Sequence, residues 1–183
     1  MQDQYILAAV GSNRPGIVAE ITEAIYWAGC NIENSHMTLL GEHFALMIQI
    51  TTAGEEVFRS LGSRCEALHR EKELKIHIFP LGSGEIELSR KRAVQPHYEI
   101  RVRGVDKAGI VYRTSQLLAA RGVNILQLST KVERSSKQQQ DPLFTMRIEI
   151  EVPKELDGKS LRRDLEALAE DLQETITLTR RHD

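Results

Sequence analysis

Several residue types that mark particular protein classes are scarce in this chain. Its 183 residues include only two cysteines, Cys30 and Cys65, and no CxxC pair. A disulfide framework and a cysteine-based metal site therefore lack their usual residues. Lysine and arginine total 24 against 26 acidic residues, a formal net charge of -2. A protein that binds the phosphates of nucleic acid usually has more basic than acidic residues, so direct DNA or RNA binding is not expected.

Long apolar runs are also missing. No segment approaches the roughly 18 consecutive apolar residues that a membrane-spanning helix needs. The first residues, MQDQYILAAVGSNRPG, carry neither a basic region nor a long apolar stretch, so no signal peptide is expected. With so few cysteines, the expected location is the cytoplasm. We expect no membrane contact, no metal and no cofactor.

An internal repeat organises what is present. When Tyr5 is aligned with Tyr98 and the comparison runs without gaps to residues 32 and 125, eight of 28 positions are identical. Further on, FALMIQI at 44–50 matches FTMRIEI at 144–150. The spacing between copies grows from 93 to 100 residues, so the second copy has extra residues before this strand. Duplication of one unit is the simplest interpretation.

Each copy shows the same order of hydrophobic patterns, which predicts β-α-β-β-α-β. Strands are indicated at 5–11, 31–40, 44–51 and 74–79, with helices at 16–28 and 54–72, and the second copy repeats them. Two helices covering one face of a four-stranded antiparallel sheet are the ferredoxin-like arrangement of that order. We therefore expect an α+β chain with domains at 1–80 and 98–183, a linker at 81–97 and an extended hairpin loop at 133–142.

The turn between the first strand and first helix of each copy is the main candidate site. It reads Asn13-Arg14-Pro15-Gly16-Ile17 in the first copy. The second copy has Asp106-Lys107-Ala108-Gly109-Ile110. The unpaired N–H groups of a helix's first turn bind anions, and Asn or Asp can accept a hydrogen bond from an ammonium group. A purely structural role, with Asn13 and Asp106 as helix caps, is the open alternative.

The pattern of strand, [Asn/Asp]-x-Pro-Gly, helix, Gly-x-Asn-Ile and strand resembles the ACT domain, a ferredoxin-like regulatory module. That resemblance implies amino-acid sensing, at a site formed by the turn after strand one and the start of strand two. The matching residues are Asn13, Pro15, Gly16, Ile17, Asn31 and Ile32 in the first copy, and Asp106, Gly109, Ile110, Asn124 and Ile125 in the second. Ala108 stands where the family favours proline, and Asn13 stands where aspartate is common.

A longer resemblance covers nearly the whole chain. The segments RPGIV and GCNIENSHMTLLGEHFALMI, followed by a second copy with a long polar hairpin, resemble the glycine cleavage system transcriptional repressor family. This resemblance implies a non-enzymatic regulator that binds a transcription activator, with glycine as the favoured small amino acid. A carboxylate would then meet the N–H groups at Gly16-Ile17 or Gly109-Ile110. An ammonium group would meet Asn13 or Asp106, supported by Asn31 or Asn124.

Other functions stay open from the residues alone. A regulatory subunit of an amino-acid-metabolism enzyme would be built from the same modules, and so would an interaction scaffold without a ligand. RNA binding is disfavoured, since the expected outer faces at 45–49 and 145–149 carry no aromatic ring. An acylphosphatase-like enzyme could use Arg14 or Lys107, but the GVxFR-type loop is absent. The six histidines are scattered and show no catalytic or metal spacing. Homodimerisation through exposed sheet edges is compatible with this fold.

Overall fold

The structure is a computed structural model that describes residues 3–82, 97–134 and 141–181. The chain divides into two compact units, Met1–Leu88 and Ser89–Asp183. Residues 83–96, which hold most of the expected linker, and residues 135–140, in the expected hairpin loop, lie outside the described residues. Among the helices described, none combines the length and the apolar character needed to cross a membrane.

Both units contain the expected β-α-β-β-α-β order. In the first unit the elements are β1 (Asp3–Ser12), α1 (Ile17–Ala28), β2 (Asn31–Leu40), β3 (His43–Thr52), α2 (Glu55–Lys72) and β4 (Lys75–Pro80). In the second they are β5 (His97–Val105), α3 (Ile110–Ala120), β6 (Asn124–Glu133), β7 (Leu143–Glu151), α4 (Gly158–Leu172) and β8 (Thr175–Arg180).

The two sheets have identical topology. Their strand orders are β2-β3-β1-β4 and β6-β7-β5-β8, and every neighbouring pair is antiparallel. Each edge strand that follows the first helix carries one register shift, between Ile32 and Asn34 in β2 and between Ile125 and Gln127 in β6. The predicted pair of four-stranded, helix-covered ferredoxin-like sheets is confirmed.

Alternating side chains on the strands build the core of each unit. Along β3, Phe44, Leu46, Ile48 and Ile50 are buried, and β7 buries the corresponding Phe144, Met146, Ile148 and Ile150. The helices add apolar stripes at helical spacing. In α1 the buried residues are Ile17, Ile21, Ala24, Ile25 and Ala28, and in α4 they are Leu161, Leu165, Leu168 and Leu172.

A glycine in each first strand accommodates a side chain from the segment after the second helix. A β-carbon added to Gly11 would lie 2.6 Å from a methyl carbon of Leu74. A β-carbon added to Gly104 would overlap the carboxylate of Glu174, whose side chain is fully buried. Leu74 and Glu174 hold equivalent positions, each following a residue in the left-handed conformation at the end of its helix. The first copy therefore fills this position with an apolar side chain, and the second copy fills it with a carboxylate.

We predict that Gly104→Ala lowers the free energy of unfolding by about 1–3 kcal/mol, the usual cost of overfilling a packed site. Gly62→Ala is the control, because Gly62 lies inside α2 with no atom within 4 Å of the added β-carbon. An alanine there should raise the free energy of unfolding by about 0.5–1 kcal/mol through helix propensity. Urea unfolding of both variants checks this, and a neutral Gly104→Ala would show that Glu174 leaves its place freely.

Candidate functional site

Each candidate loop is a tight turn that leads directly into a helix. Gly16 has φ 89° and ψ -12°, and Gly109 has φ 96° and ψ -9°. These angles match the third residue of a type II turn, where glycine is favoured, and Pro15 occupies the position before it, where proline is favoured. The Ile17 N–H donates to the Arg14 carbonyl at 3.3 Å and closes the first turn. A β-carbon added at either glycine would meet nothing within 4 Å, so the outer side of each turn is open.

A backbone hydrogen bond ties each loop to the residue directly before the third strand of its unit. The Asn13 N–H donates to the Glu42 carbonyl at 2.8 Å, and the Asp106 N–H donates to the Pro142 carbonyl at 2.9 Å. The bond joins the end of the first strand to the turn before the third strand in both units. The loops are therefore held at one end of each sheet by the same contact, although the sequences of the two hairpins differ.

The side chains of Asn13 and Asp106 are not helix caps. The residues at the cap positions are Gly16 and Gly109, and neither helix has a side-chain cap hydrogen bond. The capping role that the sequence left open is therefore wrong for both residues, because the turn places them three residues before the cap. Both are exposed, and within the described residues their side chains make no hydrogen bond or ion pair.

The basic residues that follow them have different partners in the two units. The Arg14 guanidinium donates to both carboxylate oxygens of Glu20, at 2.8 and 2.6 Å. This hydrogen bond lowers the pKa of the Glu20 carboxyl. In the second unit, Lys107 Nζ donates to the Leu172 carbonyl at 2.7 Å and lies 3.4 Å from the buried carboxylate of Glu174. Arg14 is therefore held against α1, whereas Lys107 is held against the end of α4.

The two isoleucines of the loops, Ile17 and Ile110, are 2% and 1% exposed and belong to the two cores. Their side chains are therefore unavailable to a ligand, and the Ile17 N–H already donates to the Arg14 carbonyl. The first backbone N–H groups of a helix have no carbonyl partner within the helix. Each loop thus combines an exposed polar side chain, an open turn and the positive end of a helix.

The predicted asparagines at the start of the second strands lie far from these turns. Asn31 pairs with Thr51, which lies opposite Gln4, whereas Asn13 follows the other end of β1. At about 3.3 Å per residue, the step from residue 4 to residue 13 spans roughly 30 Å. One amino acid therefore cannot touch both asparagines within a unit, and the same holds for Asp106 and Asn124.

The strand residues at that far end have their own contacts. Asn31 Nδ2 donates to Glu33 Oε1 at 2.9 Å, and Asn124 Nδ2 donates to Glu151 Oε2 at 3.4 Å. Ile32 is 39% exposed, while Ile125 packs against the second core. These residues form a separate polar end of each sheet.

Two acidic residues that contact the loops were not predicted from the sequence. Glu20, the partner of Arg14, gave no signal because its spacing of six residues matches no common pairing pattern. Glu174 could have been found by aligning the copies, since it replaces the buried Leu74. A charged residue at a position that is apolar in the other copy is a signal that one copy alone does not provide.

Comparison with known proteins agrees with this architecture. Residues 3–78 match the family model described as ACT domain. Over 73 residues the chain is 33% identical to a UPF0237 protein of Streptococcus mutans, covering 40% of this chain and 83% of that protein. The chain is a tandem ACT-domain protein. The second module has the same strand order and register as the first.

The similarity to a repressor spans both modules. The chain is 24% identical to the glycine cleavage system transcriptional repressor of Escherichia coli over 180 residues, with 93% of this chain and 86% of that protein covered. A solved structure described as an unknown protein from Galdieria sulphuraria has a TM-score of 0.78 and 24% identity, and both chains are covered completely. The tandem ACT-domain protein therefore resembles the glycine cleavage repressor family along its length.

The loops allow a matched pair of variants in the second module. Gly109→Ala should lower the free energy of unfolding by about 1–2 kcal/mol, because a residue with a β-carbon is strained at this positive φ. Ala108→Pro should be neutral or stabilise by up to about 1 kcal/mol, since the first module carries Pro15 at the same place. Urea unfolding distinguishes them, and equal effects of the two variants would contradict the type II turn.

Proposed function

We propose that this protein is a non-enzymatic, amino-acid-responsive regulator that controls transcription by binding a transcription activator. The cytoplasm is its proposed location, and glycine is the favoured ligand. The observation that carries the proposal is the duplicated loop, in which an open glycine turn, an exposed Asn13 or Asp106 and a helix start lie together. The full-length similarity to a glycine cleavage repressor supports the regulatory part.

The chemistry of the loop suits a free amino acid. The carboxylate would accept hydrogen bonds from the first-turn N–H groups and gain from the helix dipole. The ammonium group would donate to the side-chain oxygen of Asn13 or to the carboxylate of Asp106. A small amino acid such as glycine suits a turn with open space beside Gly16 or Gly109. Asn31 and Asn124, at the other end of each sheet, are not part of this minimal site.

Regulation requires that the ligand distinguish two states of the protein. An amino acid can change the affinity for a partner only by as much as its own affinity differs between the free and partner-bound protein. Each loop is bonded to the start of the third strand's hairpin arm, at Glu42 or Pro142, through the Asn13 N–H or the Asp106 N–H. In the proposal, occupation of the turn shifts that hairpin and so changes the surface offered to the activator.

Calorimetric titration with glycine and the other amino acids tests the ligand assignment. We expect saturable binding of a small amino acid, and at least tenfold weaker binding in the double variant Asn13→Ala/Asp106→Ala, because each loss removes a charge-assisted hydrogen bond. The single variants identify which module binds. Asn34→Ala is the control, since Asn34 is exposed on β2 and far from the turn of its own module. Unchanged binding in the double variant would reject the loops as the site.

The partner distinguishes the proposal from its main alternative, a regulatory subunit of an amino-acid-metabolism enzyme. Affinity purification of the tagged chain, followed by elution with glycine, should release a DNA-binding activator. Recovery of a metabolic enzyme in its place would favour the alternative. If an activator is recovered but no amino acid binds, the regulatory role is retained and the proposed ligand is rejected.

A further inference from the structure

The outer face of the second sheet, which the helices do not cover, carries a cluster of cationic side chains. Arg101 and Arg147 lie directly opposite each other on β5 and β7. In the next row, Arg103 and Lys131 lie on either side of Thr145. A groove of about 390 Å³ runs over these two rows, and its walls include all four cations and the hydroxyls of Ser129 and Thr145. We call this feature the cationic groove.

A buried carboxylate holds two of the arginines in place. Glu99 lies on the outer face, where the alternation of β5 predicts exposure, yet it is only 7% exposed. It accepts hydrogen bonds from Arg101 Nε and, at 2.7 Å, from Arg147 Nε. Desolvation raises the pKa of Glu99, but the hydrogen bonds from both arginines outweigh it and the net pKa is lowered. Like charges opposite each other destabilise a sheet, and this single carboxylate offsets that repulsion for two cations.

Positive charge remains after these pairings. Lys131 pairs with Glu133 at 2.6 Å, and Arg147 also reaches Glu149 at 3.4 Å. No side-chain hydrogen bond of Arg103 is seen within the described residues, but its charge lies near Glu133 and helps Lys131 to lower the pKa of that carboxyl. The side chains stay accessible, since those of Arg101, Lys131 and Arg147 are 68%, 72% and 49% exposed. The groove thus has four cations against the carboxylates of Glu99, Glu133 and Glu149, and Glu149 also pairs with Arg181 at 2.6 Å. Positive charge therefore remains in excess on accessible side chains.

The fold does not need these charges. The first sheet has the same strand order and register, and it carries neutral residues at every corresponding place. Where the second sheet has Glu99, Arg101, Arg103, Lys131 and Arg147, the first has Ile6, Ala8, Val10, Thr38 and Met47. The same backbone is therefore built without any of the five ionisable groups. Their presence in one copy indicates a role specific to that copy.

We propose that the cationic groove binds a small polyanion, either a phosphate ester or a di- or tricarboxylate. The volume falls within the range of small-ligand sites, about 300–1,000 Å³. Guanidinium groups match the geometry of phosphate and carboxylate and can bind either through two parallel hydrogen bonds. Arg101 and Arg147, oriented by Glu99, supply the fixed part of the site. Arg103 and Lys131, which share Glu133, add the charge in excess. The chain would then respond to a second ligand, chemically unlike a neutral amino acid.

The test is a calorimetric titration of the whole chain with pyrophosphate and, separately, with citrate at low ionic strength, where charge interactions are least screened. We expect one saturable site, and the tighter of the two probes identifies phosphate or carboxylate as the ligand chemistry. The double variant Arg103→Ala/Lys131→Ala should bind that probe at least tenfold more weakly, since two charged contacts are lost. Its glycine titration should match that of the unmodified chain.

The control is Arg163→Ala, which removes one positive charge from an exposed position on α4 in the same module. The proposal is overturned if neither probe binds saturably, or if Arg163→Ala weakens binding as much as the double variant. A third titration, with a single-stranded oligonucleotide, addresses the macromolecular alternative. Oligonucleotide binding that displaces the small probe and is itself lost in the double variant would replace the small-ligand site with a nucleic-acid surface.

Discussion

The structure depends on the burial of one face of each four-stranded sheet beneath two helices. Burial fixes the residue type at every second position of the central strands, because a polar side chain there would lose its hydrogen bonds to water. The two modules accordingly agree closely at inward positions, such as Ile48 with Ile148 and Ile50 with Ile150. The outer faces escape this constraint, and there the modules differ most.

The same reasoning separates structural from functional features in the loops. Gly16 and Gly109 are required by the positive φ of the turn, and Ile17 and Ile110 by the cores. Asn13 and Asp106 serve neither purpose, since they do not cap a helix and their side chains form no hydrogen bond or ion pair within the described residues. Exposed polar residues without a structural partner, repeated in both copies beside a helix start, are the strongest argument for a ligand at these turns.

The fold could be predicted from the sequence because hydrophobic alternation and helical stripes are strong signals and the duplication provided each of them twice. The helix ends followed from Gly29 and the apolar periodicity. The arrangement within the candidate site could not be predicted, because β-strand pairing decides it. Asn13 and Asn31 belong to one motif in the chain, yet the antiparallel register places them at opposite ends of the sheet.

Charge contacts between residues far apart in the chain were the other feature that could not be predicted from the sequence. Glu99 is covered in part by Arg147, which lies 48 residues away in the chain and on the neighbouring strand β7. The alternation of residues along β5 predicts the face of Glu99 correctly but its exposure wrongly. Alternation takes no account of neighbouring side chains that cover a residue. Comparison of the two copies would have revealed the cluster, because neutral residues in one sheet align with charged residues in the other.

In the proposed mechanism, the first-turn loops receive the amino acid and the far ends of the sheets do not. Amide hydrogen exchange followed with and without saturating glycine tests it at residue level. The account predicts slower exchange at residues 13–20, at 106–113 or at both, with the amides around Asn31 and Asn124 unchanged. Protection confined to residues 31–34 or 124–127 would contradict the loop assignment and move the site to the other end of the sheet.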